Sequence, residues 1–129
     1  MAGETEKITV NLGPVDLGQI DLLVQEGFYS NRTDFIRTAI RNQLVVHAEA
    51  VRQTASRHML VLGLKQYTRR DLEAVRAAGQ RLEVRVLGLA TIADDVSPEL
   101  ALATIDSINV LGAFHASDAV KRALAERIK

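Results

Sequence analysis

The sequence predicts an α+β fold in two parts, on three observations. Residues Lys7 to Leu12 alternate apolar and polar, the pattern of a half-buried strand. Two helical stretches with recognisable caps follow it. From residue 59 onward a Val-Leu-Gly strand pattern recurs, with helical stretches between its copies. The expected domains are a flexible tail over residues 1–6, a strand-helix-helix module with a long second helix over 7–57, and a small β-α repeat, solenoid-like domain over 58–129.

Composition narrows the class. The chain has 129 residues, of which 47% are apolar and 25% charged, and this is the balance of a globular protein. Cysteine is absent, which excludes a disulfide framework, a thiolate zinc site and a cysteine nucleophile. Met1 is followed by an acidic, polar segment, so no signal peptide is expected. The longest uncharged stretch, Ser107 to Ser117, is too short to span a bilayer. The expectation is a cytoplasmic protein with no membrane partner.

In the first strand Ile8, Val10 and Leu12 share the face that must be buried. Lys7, Thr9 and Asn11 share the other, and a cation, a hydroxyl and an amide are groups suited to base edges or phosphates. One strand of this length is not stable alone and requires a partner strand. Gly13-Pro14 turns the chain. Asp16 is expected to cap a helix carrying Leu17, Ile20, Leu23 and Val24, with Gly27 as its left-handed stop.

The next helix is expected to start at Asn31, with Asp34 placed to reach back to the cap's amide. Its apolar side carries Phe35, Ile36, Ala39, Ile40 and Leu44. The pattern runs on through Val51 and Ala55, so one helix is expected as far as about Arg57.

This order resembles the ribbon-helix-helix family, of the MetJ, Arc and CopG type, over Lys7 to Leu44. The most specific part is Ser30-Asn31-Arg32-Thr33-Asp34-Phe35-Ile36-Arg37, followed by Ala39 and Ile40. In that family two chains pair their strands antiparallel and lay the ribbon in the major groove of double-stranded DNA. The resemblance implies that Lys7, Thr9 and Asn11 touch bases and that Asn31 and Arg32 hold phosphate. It implies a homodimer whose core includes Ile8, Val10, Leu12, Phe35, Ile36 and Ile40. Physical chemistry agrees: an antiparallel ribbon fits the major groove, Asn suits adenine, and the amides of a helix start bind anions. Net charge is zero, and residues 1–57 hold six Lys/Arg against seven Asp/Glu. Recognition must therefore rest on a few placed side chains and on dimer symmetry, not on a general positive field.

The second half repeats. Met59-Leu60-Val61-Leu62-Gly63-Leu64 is echoed by Val84-Arg85-Val86-Leu87-Gly88-Leu89 and by Ile108-Asn109-Val110-Leu111-Gly112-Ala113, with the glycines 25 and 24 residues apart. Helices are expected from Thr68 with Asp71 to Gly79, from Ser97-Pro98 to about Thr104, and from Ser117 or Asp118 through Ile128. A strand-plus-helix unit of this period reads as a leucine-rich-like or β-solenoid array. Met59/Val61, Val84/Val86 and Ile108/Val110 are expected to face the helices. Leu62, Leu87 and Leu111 then form a stripe on the other face, a candidate self-association surface for higher oligomers or a protein partner.

His47, His58 and His115 stand isolated, so neither a metal nor a cofactor is expected. No Ser-His-Asp pattern, phosphate loop or dinucleotide fingerprint is present, and no catalytic residue is assigned. The expected function is that of a dimeric, sequence-specific DNA-binding regulator, a repressor. The alternatives are an antitoxin, since many share such a head, and a DNA-partition or scaffold protein.

Overall fold

The structure, a computed structural model, describes residues 5–129. The first four residues of the expected tail lie outside them. The chain divides into two compact units, Met1–Arg52 and Gln53–Lys129, and the division falls within a helix.

In the first unit, Lys7 to Leu12 has no regular secondary structure and is exposed throughout. The strand expected there requires a partner strand from a second copy, and a single chain supplies no neighbour for it. Helix α1 spans Pro14–Gln25. Its cap is Gly13, not Asp16: Pro14 occupies the first helical position, where a missing N–H costs nothing, and Asp16 sits in the first turn. Gly27 ends the helix at φ +85°, with its amide donating to Val24 and that of Phe28 to Leu23, the paired bonds of a Schellman stop.

Helix α2 spans Arg32–Val46 and α3 spans Ala48–Arg57. The expected single helix is thus broken at His47, directly after the β-branched pair Val45-Val46. Helix α3 stops at Met59, which takes φ +54° while its amide donates to Ser56 and that of Leu60 to Ala55. These are the bonds that Gly27 makes for α1. A methionine in this left-handed position cannot begin a strand, which corrects its assignment to the helix-facing side of the repeats.

The second unit alternates strands and helices: β1 Val61–Tyr67, α4 Arg69–Ala77, β2 Leu82–Ile92, α5 Pro98–Thr104, β3 Ile105–His115, α6 Asp118–Ala123 and a 3₁₀ turn Ala125–Arg127. The helix starts are locally encoded. Thr68 and Asp71 form a capping box, and the Thr68 amide and hydroxyl hold the Asp71 carboxyl below its usual range. Ser97 and Ser117 cap α5 and α6 through their hydroxyls. The sheet is parallel in the order β1-β2-β3, with Gly63, Gly88 and Gly112 in one row.

Leu72 of α4, Leu100 and Ala101 of α5, and Val120 of α6 pack in one cluster with Val84, Val86, Ala90, Ile92, Ile105 and Ile108. All three helices therefore cover the same face. Val110 is half-buried beside this cluster, but Val61 remains 59% exposed, since β1 lies at the edge with a neighbour on one side only. Arg81 and Arg127 both donate to the Leu102 carbonyl at the end of α5, and Arg127 also donates to that of Ile105. Ile128, expected on the last helix, instead follows the 3₁₀ turn and bridges Ile108 on β3.

The glycine row sets how closely the strands approach. A Cβ on Gly88 would lie 2.2 Å from the Gly63 carbonyl oxygen, and one on Gly112 would lie 2.1 Å from that of Gly88. Both residues also hold positive φ. Gly112→Ala is expected to cost about 2–6 kcal/mol, from backbone strain together with overpacking. Gly63→Ala keeps only the strain, about 1–3 kcal/mol. Urea unfolding of the two variants checks the order; equal losses would show that the close approach contributes nothing.

Candidate nucleic-acid interface

Lys7, Thr9 and Asn11 occupy alternate positions of an extended, exposed segment. Between them Ile8 is 75% and Val10 67% exposed, so the apolar half of the alternation is uncovered in a single chain. Leu12, Ile36 and Ile40 are also exposed large hydrophobic side chains. Phe35 is partly buried, its ring edge-on to that of Tyr29 at 5.0 Å. Among the described residues of this unit up to Arg52, only Ile20 is buried. The side chains assigned to a dimer core are thus present as open apolar surface.

The start of α2 is built by two side chains. Asn31 accepts the Asp34 amide at 2.8 Å, and the Asp34 carboxylate accepts the amide of Ser30 at 2.9 Å, one residue before the cap. The amides of Arg32 and Thr33, at the first helical positions, have no intrahelical acceptor and point out of the helix end, the arrangement that binds anions.

The Arg32 guanidinium is engaged within the chain. It donates from Nε and a terminal nitrogen to both Asp21 carboxylate oxygens, at 2.7 and 2.8 Å, in the bidentate geometry that arginine favours. This hydrogen bonding holds the Asp21 carboxyl below its usual range and raises Arg32 above its own. The pair ties α1 to α2. Sequence reasoning missed Asp21, and the available signal was weak: an acidic residue in one helix and a basic one at the start of the next. Neither side chain advertises its partner.

Leu62, Leu87 and Leu111 lie in register on adjacent strands, on the face opposite the helices. Leu62 is 70% and Leu111 54% exposed, whereas Leu87 in the middle strand is half-covered. Leu64 and Leu89 extend this apolar face by one row. Among the described residues no group of His, Cys, Asp and Glu is arranged to hold a metal ion, and no helix is long and apolar enough to cross a membrane.

The model of the Ribbon-Helix-Helix transcriptional regulator family matches residues 3–121. The match takes in both units, extending well beyond the stretch from Lys7 to Leu44 that carries the resemblance. No curated protein and no solved structure matches the chain.

The Asp21–Arg32 pair generates a direct measurement. Arg32→Gln is expected to move the Asp21 carboxyl upward, toward an ordinary aspartate value, in an NMR titration. Because the folded value is depressed, the pair's contribution to stability is complete above the unfolded-state value of about 3.9 and fades as pH falls through the folded one. An unchanged Asp21 titration in the variant would remove Arg32 as the cause.

Proposed function

The chain belongs to the ribbon-helix-helix transcriptional regulator family, and from that premise we propose a cytoplasmic homodimer that represses transcription by sequence-specific binding to double-stranded DNA. The observation that carries the dimer is the uncovered apolar surface of the first unit. Helix α2 has no buried residue although Phe35, Ile36, Ile40 and Leu44 recur along it. A helix without a fully buried residue has little to hold it, since most helical stability in proteins comes from packing.

In this reading the Lys7–Leu12 segments of two chains pair antiparallel. Ile8, Val10 and Leu12 then close over Phe35, Ile36 and Ile40 from both copies. Lys7, Thr9 and Asn11 project from the ribbon toward base edges in the major groove. The outward amides at the start of α2 receive a backbone phosphate, with Asn31 shaping the helix end. Arg32 contributes there as well, sharing its charge with Asp21.

The second unit adds oligomerisation or partner binding through the leucine face. That face also favours a second reading, a partition or scaffold protein that spreads along DNA by self-association. An antitoxin is a weaker fit, because the second unit has a continuous buried core of its own, whereas antitoxin tails are characteristically disordered until bound.

Gel shifts against fragments of its own promoter region test the reading. Val10→Asp places two unpaired carboxylates at the ribbon core and is expected to abolish both the dimer and DNA binding. Thr9→Ala with Asn11→Ala is expected to leave a folded dimer, losing about 1–3 kcal/mol of discrimination for the bidentate contact of each Asn11. Equal, weak binding of every fragment by wild type and double variant would exclude sequence readout. For the leucine face, Leu87→Asp is expected to reduce the mass of any assembly larger than a dimer in light scattering, and an unchanged mass would exclude the face as a self-association surface.

A further inference from the structure

The repeat domain treats the two edges of its sheet differently. Along β3, the segment after α6 lies against the strand: Ile128 bridges Ile108, and the Lys129 amide donates to the Ile108 carbonyl at 2.8 Å. Along β1, no strand or bridge pairs on the outer side among the described residues. An edge of that kind presents a row of unpaired amides and carbonyls, and proteins usually blunt it with proline, a bulge or inward charge. β1 contains no proline and pairs with β2 without a register shift. Its apolar residues Val61, Leu62 and Leu64 are exposed. Its single charge, on Lys65, is its one device of that kind, and the ammonium lies 5.8 Å over the ring of Tyr67 in the same strand.

Gly63 gives the edge a specific shape. In the two inner contacts, the side of a glycine that lacks a Cβ receives the carbonyl of the strand nearer β1, Gly112 that of Gly88 and Gly88 that of Gly63. Gly63 has the same backbone form, φ +128° beside +139° and +120°, and a Cβ there would meet nothing within 4 Å. By the repeat of the geometry, its receiving side opens outward, away from β2. At Gly63, therefore, no side chain holds another strand's backbone away from the edge.

We propose that this edge pairs with the β1 edge of a second copy, so that the two sheets of one dimer join into a single continuous sheet. The inference rests on the dimer proposed above. A second copy is the occupant favoured by symmetry, because a two-fold axis lets one strand serve as both halves of an antiparallel pair, with no crossover needed. It is favoured by chain continuity as well: the second unit begins at Gln53 and β1 at Val61, so two chains joined through their first units each bring a β1 edge into one assembly.

The absence of native cysteine makes the test direct. Single replacements Val61→Cys, Leu62→Cys, Leu64→Cys, Lys65→Cys and Gln66→Cys sample both faces of β1, the double replacement Leu62→Cys/Leu64→Cys covers an axis at Gly63, and Arg122→Cys, exposed on α6 and away from the leucine face, serves as the control. In an antiparallel pair the residue nearest the two-fold axis faces its own copy with Cβ atoms about 4.5–5.5 Å apart, close enough for a disulfide after a small adjustment. Mild oxidation of the full-length protein is expected to link one of the β1 variants rapidly and to leave Arg122→Cys unlinked. In the unsubstituted protein, amide exchange supplies a second measurement. The amides of Val61–Tyr67 that point away from β2 are expected to exchange at least roughly 100-fold slower than unprotected ones.

Rapid exchange of those alternate amides, or linkage through Arg122→Cys as fast as through β1, would overturn the pairing. Sedimentation and DNA binding of the unoxidised protein separate this failure from that of the dimer. A DNA-binding dimer with an open β1 edge defeats this inference alone, whereas a monomer defeats the dimer reading and this inference together.

Discussion

A Cβ at Gly88 would lie 2.2 Å from the Gly63 carbonyl oxygen, and one at Gly112 2.1 Å from that of Gly88, so the second unit's strands approach as they do only where no side chain intervenes. The register follows from this contact, and most of the domain follows from the register. Because side chains alternate along a strand, a slip of one residue would send Val84, Val86 and Ile108 out to solvent and bring the leucines onto the helices. With the glycines in one row, the valines and isoleucines meet Leu72, Leu100 and Val120 in a single core. The leucines at 62, 87 and 111 align on the far side.

The first unit stands in the opposite condition. Its helices are well signposted, with Gly27 and Asn31 marking an end and a start, yet it buries almost nothing in a single chain. Local hydrogen bonding can define a helix, but it cannot by itself keep one folded, because a turn gains little once its entropy cost is met. What binds α1 to α2 is a surface ion pair, Asp21 with Arg32, together with modest packing around Ile20. Exposed pairs contribute little to stability. The apolar surface left over is the physical reason for reading this unit as half of something.

The family match spans both units, so the strand-helix array falls within the same family match as the first unit. Among the described residues α4, α5 and α6 pack on one face of its sheet, whereas parallel sheets are generally covered on both. The leucine face is consequently the feature of this domain that most requires a functional account. The zero net charge points the same way. A protein without a strong positive field gains affinity by bringing several recognition elements to DNA at once.

What the sequence determined by itself is what depends on neighbours a few residues away. The caps at Asn31, Thr68, Ser97 and Ser117 and the stops at Gly27 and Gly79 were legible because each is completed by an amide or carbonyl within one helical turn. The Val-Leu-Gly recurrence was legible for a related reason, since stacked strands need the same residue at the same position. Met59 was misread because its apolar side chain suits a strand, while the hydrogen bonds that stop α3 required the left-handed form there. Gly13 displaced Asp16 as a cap through the proline beside it, and Ile128 left its helix to bridge β3. Only the tertiary structure decided which apolar residues are covered. Val61 and Val86 are the same residue type in the same row, yet one is exposed and the other buried. That difference comes from lying at the edge or in the middle of a sheet, and position in a sheet is a property of the neighbours, not of the residue.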